Sequence, residues 1–170
     1  FVGYFQEMGW DPAIASQLLA FSGIGSLLSG PFWGIAGAHF ARRNVFGAGM
    51  VVLGVGILLL IFGNQVQVVA YLGTILFGVG GSGATIMNSA IQADYFDKSV
   101  LGTSFGFCAA CFSIASAISP IIGGAMADYT GTLQSVMIIG LITSITGAAT
   151  ILSLSPPQAG KCMLMGSQEG

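Results

Sequence analysis

The chain has 170 residues, 54% of them apolar and 6% charged, with a net charge of −2. Soluble domains carry about 25% charged residues, so this sequence cannot coat a water-exposed globule, and it has no basic patch to bind nucleic acid. Its 3 cysteines are an odd count and define no disulfide framework.

Residues 1–5 read as the end of an apolar helix. The charged start and small-residue cleavage site of a signal peptide are both missing. The expectation is an internal or C-terminal piece of a longer protein. Gly9-Trp10-Asp11-Pro12 is a polar turn, with Trp10 suited to a membrane interface and Pro12 to a first helical turn.

The first complete span covers residues 14–38 and is followed by a short basic loop, Ala41-Arg42-Arg43-Asn44. The second, 45–63, has no polar side chain. At ~1.5 Å per residue it reaches ~28 Å, close to the ~30 Å of bilayer hydrocarbon. The third covers 68–91, and a loop over 92–99 holds Asp94, Asp97 and Lys98. The fourth covers 100–127 and is long enough to tilt. After a turn over 128–134 the fifth span covers 135–154. Pro156-Pro157 ends it, and a polar tail follows.

The fold class is therefore an all-α membrane protein, with five complete transmembrane helices plus the end of a sixth. Barrel strands are excluded, because the apolar runs far exceed ~10 residues and do not alternate in polarity. Residues 1–155 form one helical unit and 156–170 a cytoplasmic tail. Threading the spans in alternation puts Arg42, Arg43, Lys98 and Lys161 in one compartment, and they are the only Lys and Arg in the sequence. The excess of cations assigns that side to the cytoplasm. The membrane is then a plasma membrane or a bacterial inner membrane.

A weak repeat is also visible. Pro31-x-x-Gly34 precedes one helix end and Pro120-x-x-Gly123 another, on opposite membrane faces. Inverted repeats of three helices produce that relation.

The segment from Gly34 through Ala41 to Arg42 and Arg43 resembles the G-x-x-x-D-R-x-G-R-R loop of major facilitator superfamily transporters. It has Ala38, His39 and Ala41 where the family has Asp, Arg and Gly. Gln92-Ala93-Asp94-Tyr95-Phe96 followed by Gly102-Thr103-Ser104-Phe105-Gly106 is similar to the junction of the family's tenth and eleventh helices. The run from Ser119-Pro120 to Thr130-Gly131 is similar to the end of its eleventh. The resemblance implies the C-terminal half of a twelve-helix transporter, a missing N-terminal half as partner, and a solute site between the halves near the midplane. It also implies that the 45–63 helix faces lipid. The nearest subgroup is the monocarboxylate and oxalate–formate type. Such carriers commonly hold an Arg before the proline of the eighth helix, where this chain has Gly30 before Pro31.

No Asp, Glu, Lys, Arg or His lies in the middle of a complete span, where such residues mark ion paths and proton relays. Candidate substrate contacts are hence uncharged. Ser82, Thr85, Asn88, Ser89 and Gln92 recur at helical spacing, and either line a cavity or bond neighbouring helices. Asn88 is the leading candidate, because a buried amide is costly to leave unpaired. Ser22, with Ser26 and Ser29, forms a second stripe, and Gln17 lies nearer the outer mouth. The loop motif contributes Gly34, Arg42 and Arg43.

Ser104, Cys108, Cys111 and Ala115, with Gly102 and Gly106, read as close-packing positions. Cys108-x-x-Cys111 has no second ligand pair, so neither metal nor cofactor is expected. Gly80-Gly81-Ser82-Gly83 matches the G-x-S-G of intramembrane serine proteases, but the one histidine, His39, is upstream at a membrane edge, and the chemistry needs a base.

The expected function is secondary transport of a small organic solute, an organic acid or a neutral metabolite, by alternating access. The alternatives are a non-transporting receptor or partner subunit of the same fold and, more remotely, the protease. The expected partners are the lipid bilayer, a small-molecule substrate and the N-terminal half.

Overall fold

The structure is a computed structural model that describes residues 2–7, 9–63, 66–97 and 99–153. Among them the chain forms α1 (Val2–Glu7), α2 (Pro12–His39), α3 (Arg42–Phe62), α4 (Gln67–Tyr95), α5 (Leu101–Thr130) and α6 (Gln134–Ser153), with no strand. The last five are long and apolar enough to cross a membrane. Lys98, Lys161, Cys162 and the 156–170 tail lie outside the described residues.

Local chemistry sets the ends. Asp11 caps α2, its carboxylate accepting from the Ala13 N–H at 2.8 Å, with Pro12 in the first turn. α5 stops at Gly131, whose left-handed backbone (φ 72°) closes the helix through a bond to the Ala127 carbonyl. Glu7 accepts from the Leu133 N–H at 2.9 Å, which places a carboxylate at the start of α6.

Two expected loops are shorter than the sequence suggested. Arg42 and Arg43 open α3 rather than forming a loop, which leaves Phe40 and Ala41 as the link. α4 runs on to Tyr95, so Gln92 and Asp94 are helical. The same contacts explain both. Arg42 Nη1 donates to Asp94 Oδ1 at 2.6 Å and to the Ala90 carbonyl at 3.0 Å. A cation at a helix start opposes the helix dipole, and the Asp94 carboxylate offsets it. The α5 helix also outruns expectation, ending at Thr130, so Asp128 is helical.

α4 is the centre of the packing, with α3 on one side and α2 on the other; α6 lies on α3. Glycines set the α3–α4 distance. A methyl group built on Gly80 would meet the Gly49 carbonyl at 2.7 Å, and one on Gly56 would meet the Phe77 nitrogen at 2.6 Å. Gly49 and Gly56 are seven residues apart, as are Gly73 and Gly80. That spacing keeps one seam facing its neighbour along both helices. On the other side of α4, Gly25 approaches the Ile75 carbonyl, Gly78 lies against the Ser22 backbone and Gly83 lies under the Trp33 ring.

α3 was expected to face lipid. One stripe of it, Val51, Val55, Leu58 and Phe62, is exposed. Its glycine face and Ile57 and Leu60 are buried. Beyond Asn44 the helix has no polar side chain, which suits both its exposed stripe and its glycine seam. α1 inserts Tyr4 and Phe5 into a cluster with Ala15, Leu18, Leu60 and Ala70. The Phe5 ring meets Trp10 at 5.2 Å between centroids, the planes tilted by 52°.

α5 differs from its neighbours in having no buried residue. Gly102 and Gly106 have no atom within 4 Å of an added Cβ. The close-packing role expected for the small residues of α5 is therefore not seen within this chain. Pro31 is the twentieth residue of α2 and Pro120 the twentieth of α5, which aligns the two helices as the repeat suggests.

Candidate functional site

The polar stripe of α4 splits between two surroundings. Ser82 turns toward α2 and shares a 2.6 Å hydrogen bond with Ser29. It also donates to the Val79 carbonyl, which accepts from Trp33 Nε1 at 2.8 Å as well. This is the bond between helices, not the cavity wall. Ser22 lies in the same seam, half-buried, its hydroxyl bonded to the Leu19 carbonyl.

Thr85, Asn88, Ser89 and Gln92 line an open groove of about 480 Å³. The opposite walls are Phe46 and Met50 of α3 and Phe105, Cys108 and Phe112 of α5. The groove thus has one polar edge among aromatic and apolar faces, a common form for small-molecule sites. Asn88 is seven residues from the Tyr95 end of α4, or ~10 Å. It is equally far from the helix midpoint at Gly81, whereas a midplane site was expected.

Within the stripe the groups form a ladder. Gln92 is buried, and its Nε2 donates to Asn88 Oδ1 at 3.4 Å. Ser104 of α5 donates to Gln92 Oε1 at 3.3 Å. Thr85 donates to its own helix at the Gly81 carbonyl, at 2.9 Å. The groove therefore joins Asn88 and Thr85, while Ser22, Ser82 and Gln17 lie elsewhere. Gln17 accepts from the Tyr71 hydroxyl at 3.1 Å, tying α2 to α4 nearer their other ends.

In the loop motif, Gly34 has no atom within 4 Å of an added Cβ. Arg42 is half-exposed and paired with Asp94. His39 Nδ1 lies 3.0 Å from the Ile35 carbonyl of its own helix. Among the described residues no three His, Cys, Asp or Glu side chains gather as a metal site would require.

Sequence reasoning missed the α5 wall. Ser104 and Cys108 were noted at helical spacing but assigned to packing. Phe105 and Phe112 complete the same side of the groove, and an i, i+7 aromatic pair beside that stripe was the available signal.

A profile of the Major Facilitator Superfamily matches residues 1–162. No curated protein and no solved structure matches the chain. With that match over nearly its whole length and five helices of membrane length, the chain belongs to the Major Facilitator Superfamily and is a multi-pass membrane transporter.

Proposed function

We propose that this transporter moves a small organic solute by alternating access, with Asn88 and Thr85 as contacts in the groove between α3, α4 and α5. The observation that carries this reading is the amide of Asn88, exposed on an open groove between apolar, membrane-length helices. A polar group in that setting is costly unless it meets a partner. The solute would be a neutral metabolite or an organic acid of the monocarboxylate or oxalate–formate kind. Residues 1–155 would act as one half of the carrier against a second six-helix half, with 156–170 as a tail. Arg42, Arg43, Lys98 and Lys161 would face the cytoplasm of a plasma or bacterial inner membrane.

The test is solute flux in proteoliposomes of the full-length protein across a panel of small organic compounds. Asn88→Ala should raise the apparent KM about five- to tenfold, the loss of one hydrogen bond. No flux for any compound would favour a receptor or partner subunit of the same fold. The protease reading gains nothing from the geometry, since Ser82 is engaged with Ser29 and Val79.

A further inference from the structure

Tyr4 is 2% exposed, and among the described residues its hydroxyl bonds to nothing. The Tyr71 hydroxyl, packed against the same cluster, is given to Gln17. Glu7, one turn along α1, accepts from Leu133. The Tyr4 oxygen is fully enclosed. Neither a water nor any other group can therefore come within bonding distance while the ring stays in place. A hydroxyl buried in this way costs free energy that is recovered once it reaches water.

α1 and Trp10 form one rigid piece. The helix closes in a Schellman turn, with the Trp10 N–H donating to the Phe5 carbonyl and the Gly9 N–H to the Gln6 carbonyl, both at 3.0 Å. Gly9 supplies the left-handed backbone, at φ 82°, and the Phe5 and Trp10 rings meet across the turn. Asp11 then joins this piece to the start of α2. Tyr4 and Phe5 seat it among Ala15 and Leu18 of α2, Leu60 of α3 and Ala70 of α4. Glu7 holds it to the Leu133 N–H ahead of α6. All of these lie at the end of the bundle opposite Arg42 and Asp94. The Glu7 bond and the apolar packing favour the docked position, and the Tyr4 hydroxyl opposes it.

We propose that α1 is a gate at this end of the carrier, with Glu7 as its latch and the Tyr4 hydroxyl as the strain that keeps the docked state shallow. The gate rests on the alternating-access reading above. The groove lies beyond the midpoint of α4 toward Arg42, so a docked α1 closes the end away from it. On release Tyr4 reaches the membrane–water interface, where its hydroxyl is solvated. A carrier cycles only when neither state lies far below the other, and the unpaired hydroxyl narrows that gap.

A thiol in the socket reports the release. In the full-length protein, with native cysteines replaced by Ser, Ala15→Cys and Ala70→Cys each place one where the alanine is fully buried. Alkylation by N-ethylmaleimide then proceeds in proportion to the released population. Tyr4→Phe keeps the ring and removes the unpaired hydroxyl, and should slow alkylation about fivefold or more. Glu7→Ala removes the latch and should speed it about two- to tenfold. A thiol at Ser29→Cys, buried in the α2–α4 seam, should respond to neither, which separates release of α1 from loosening of the whole bundle. Unchanged or faster alkylation in Tyr4→Phe at both socket positions overturns the proposal. So does Glu7→Ala without an increase, or a parallel change at Ser29→Cys. These rates need no solute and are read apart from transport. Flux in proteoliposomes is the second readout, and Tyr4→Phe should slow it along with release. Unchanged flux beside slowed alkylation overturns the gate and leaves the carrier reading intact. No flux in the parent protein removes the carrier reading, and the gate with it.

Discussion

Gly56 and Gly73 face each other across α3 and α4, each so close that a methyl group on either would press on the other's carbonyl oxygen, at 2.9 and 3.1 Å. The contact is backbone on backbone, so no side chain can swing aside to make room. Gly56→Ala should destabilise the protein by about 1–3 kcal/mol, as overpacking does. Gly102→Ala on α5, where an added Cβ meets nothing within 4 Å, should be neutral or slightly stabilising through helix propensity. Thermal unfolding in detergent would compare the two, and equal losses would remove the special role of the α3–α4 seam.

The Ser29–Ser82 bond crosses the other side of α4. A double-mutant cycle with Ala at both positions should give a coupling of about 0.6 kcal/mol, with about 1.7 as the ceiling known for such bonds in membranes. Ser82→Ala should change stability rather than apparent solute affinity. A large KM effect would return Ser82 to the solute site.

Trp33 donates to a carbonyl that Ser82 also satisfies. Trp33→Phe should therefore cost only about 0.5–1.5 kcal/mol for the lost bond, without the penalty of an orphaned acceptor. In Ser82→Ala the same substitution removes both side-chain donors, but the Val79 carbonyl keeps the i+4 N–H of its own helix, so the combined loss should be close to the sum. Unfolding of the two single variants and the double variant measures this directly.

Arg42 and Asp94 are both more than a third exposed, and such pairs are worth about 0–1 kcal/mol. Asp94→Asn should cost no more than that, and less in high salt. Arg42→Ala should cost more, because it also releases the Ala90 carbonyl. The reverse order would mean that the pair, not the carbonyl, holds the end of α4.

Sidedness is open to labelling. Asn44, in the first turn of α3, and Thr132, between α5 and α6, are both exposed. In intact cells a membrane-impermeant maleimide should label Thr132→Cys and spare Asn44→Cys, as the cation distribution requires. Labelling of Asn44→Cys alone would invert the orientation.

The five membrane-length helices were legible because each apolar run is longer than any soluble core element requires. Their ends were less so. Arg42 and Arg43 look like a loop because they are charged, and only the position of Asp94, some fifty residues on, makes them helical. Asn88 and Thr85 were found together because they share one helix face. Ser82 shares that stripe and points elsewhere, since residues three apart differ by ~60° around a helix, and the sequence does not say where a neighbouring helix divides them. The α5 wall was assigned to packing because small residues usually pack. Which small residues have neighbours is a tertiary property: Gly56 has them and Gly102 does not.

The absence of any buried residue on α5 separates the helices that can accept added side chains from those that cannot. α2, α3 and α4 are tied by backbone contacts that admit glycine and little else. Among the described residues α5 buries no side chain and touches its neighbours sparsely, Ser104 to Gln92 among the contacts, and it supplies one wall of the groove. A side chain added in either glycine seam would force helices apart, whereas one added at Gly102 or Gly106 of α5 meets no atom within 4 Å.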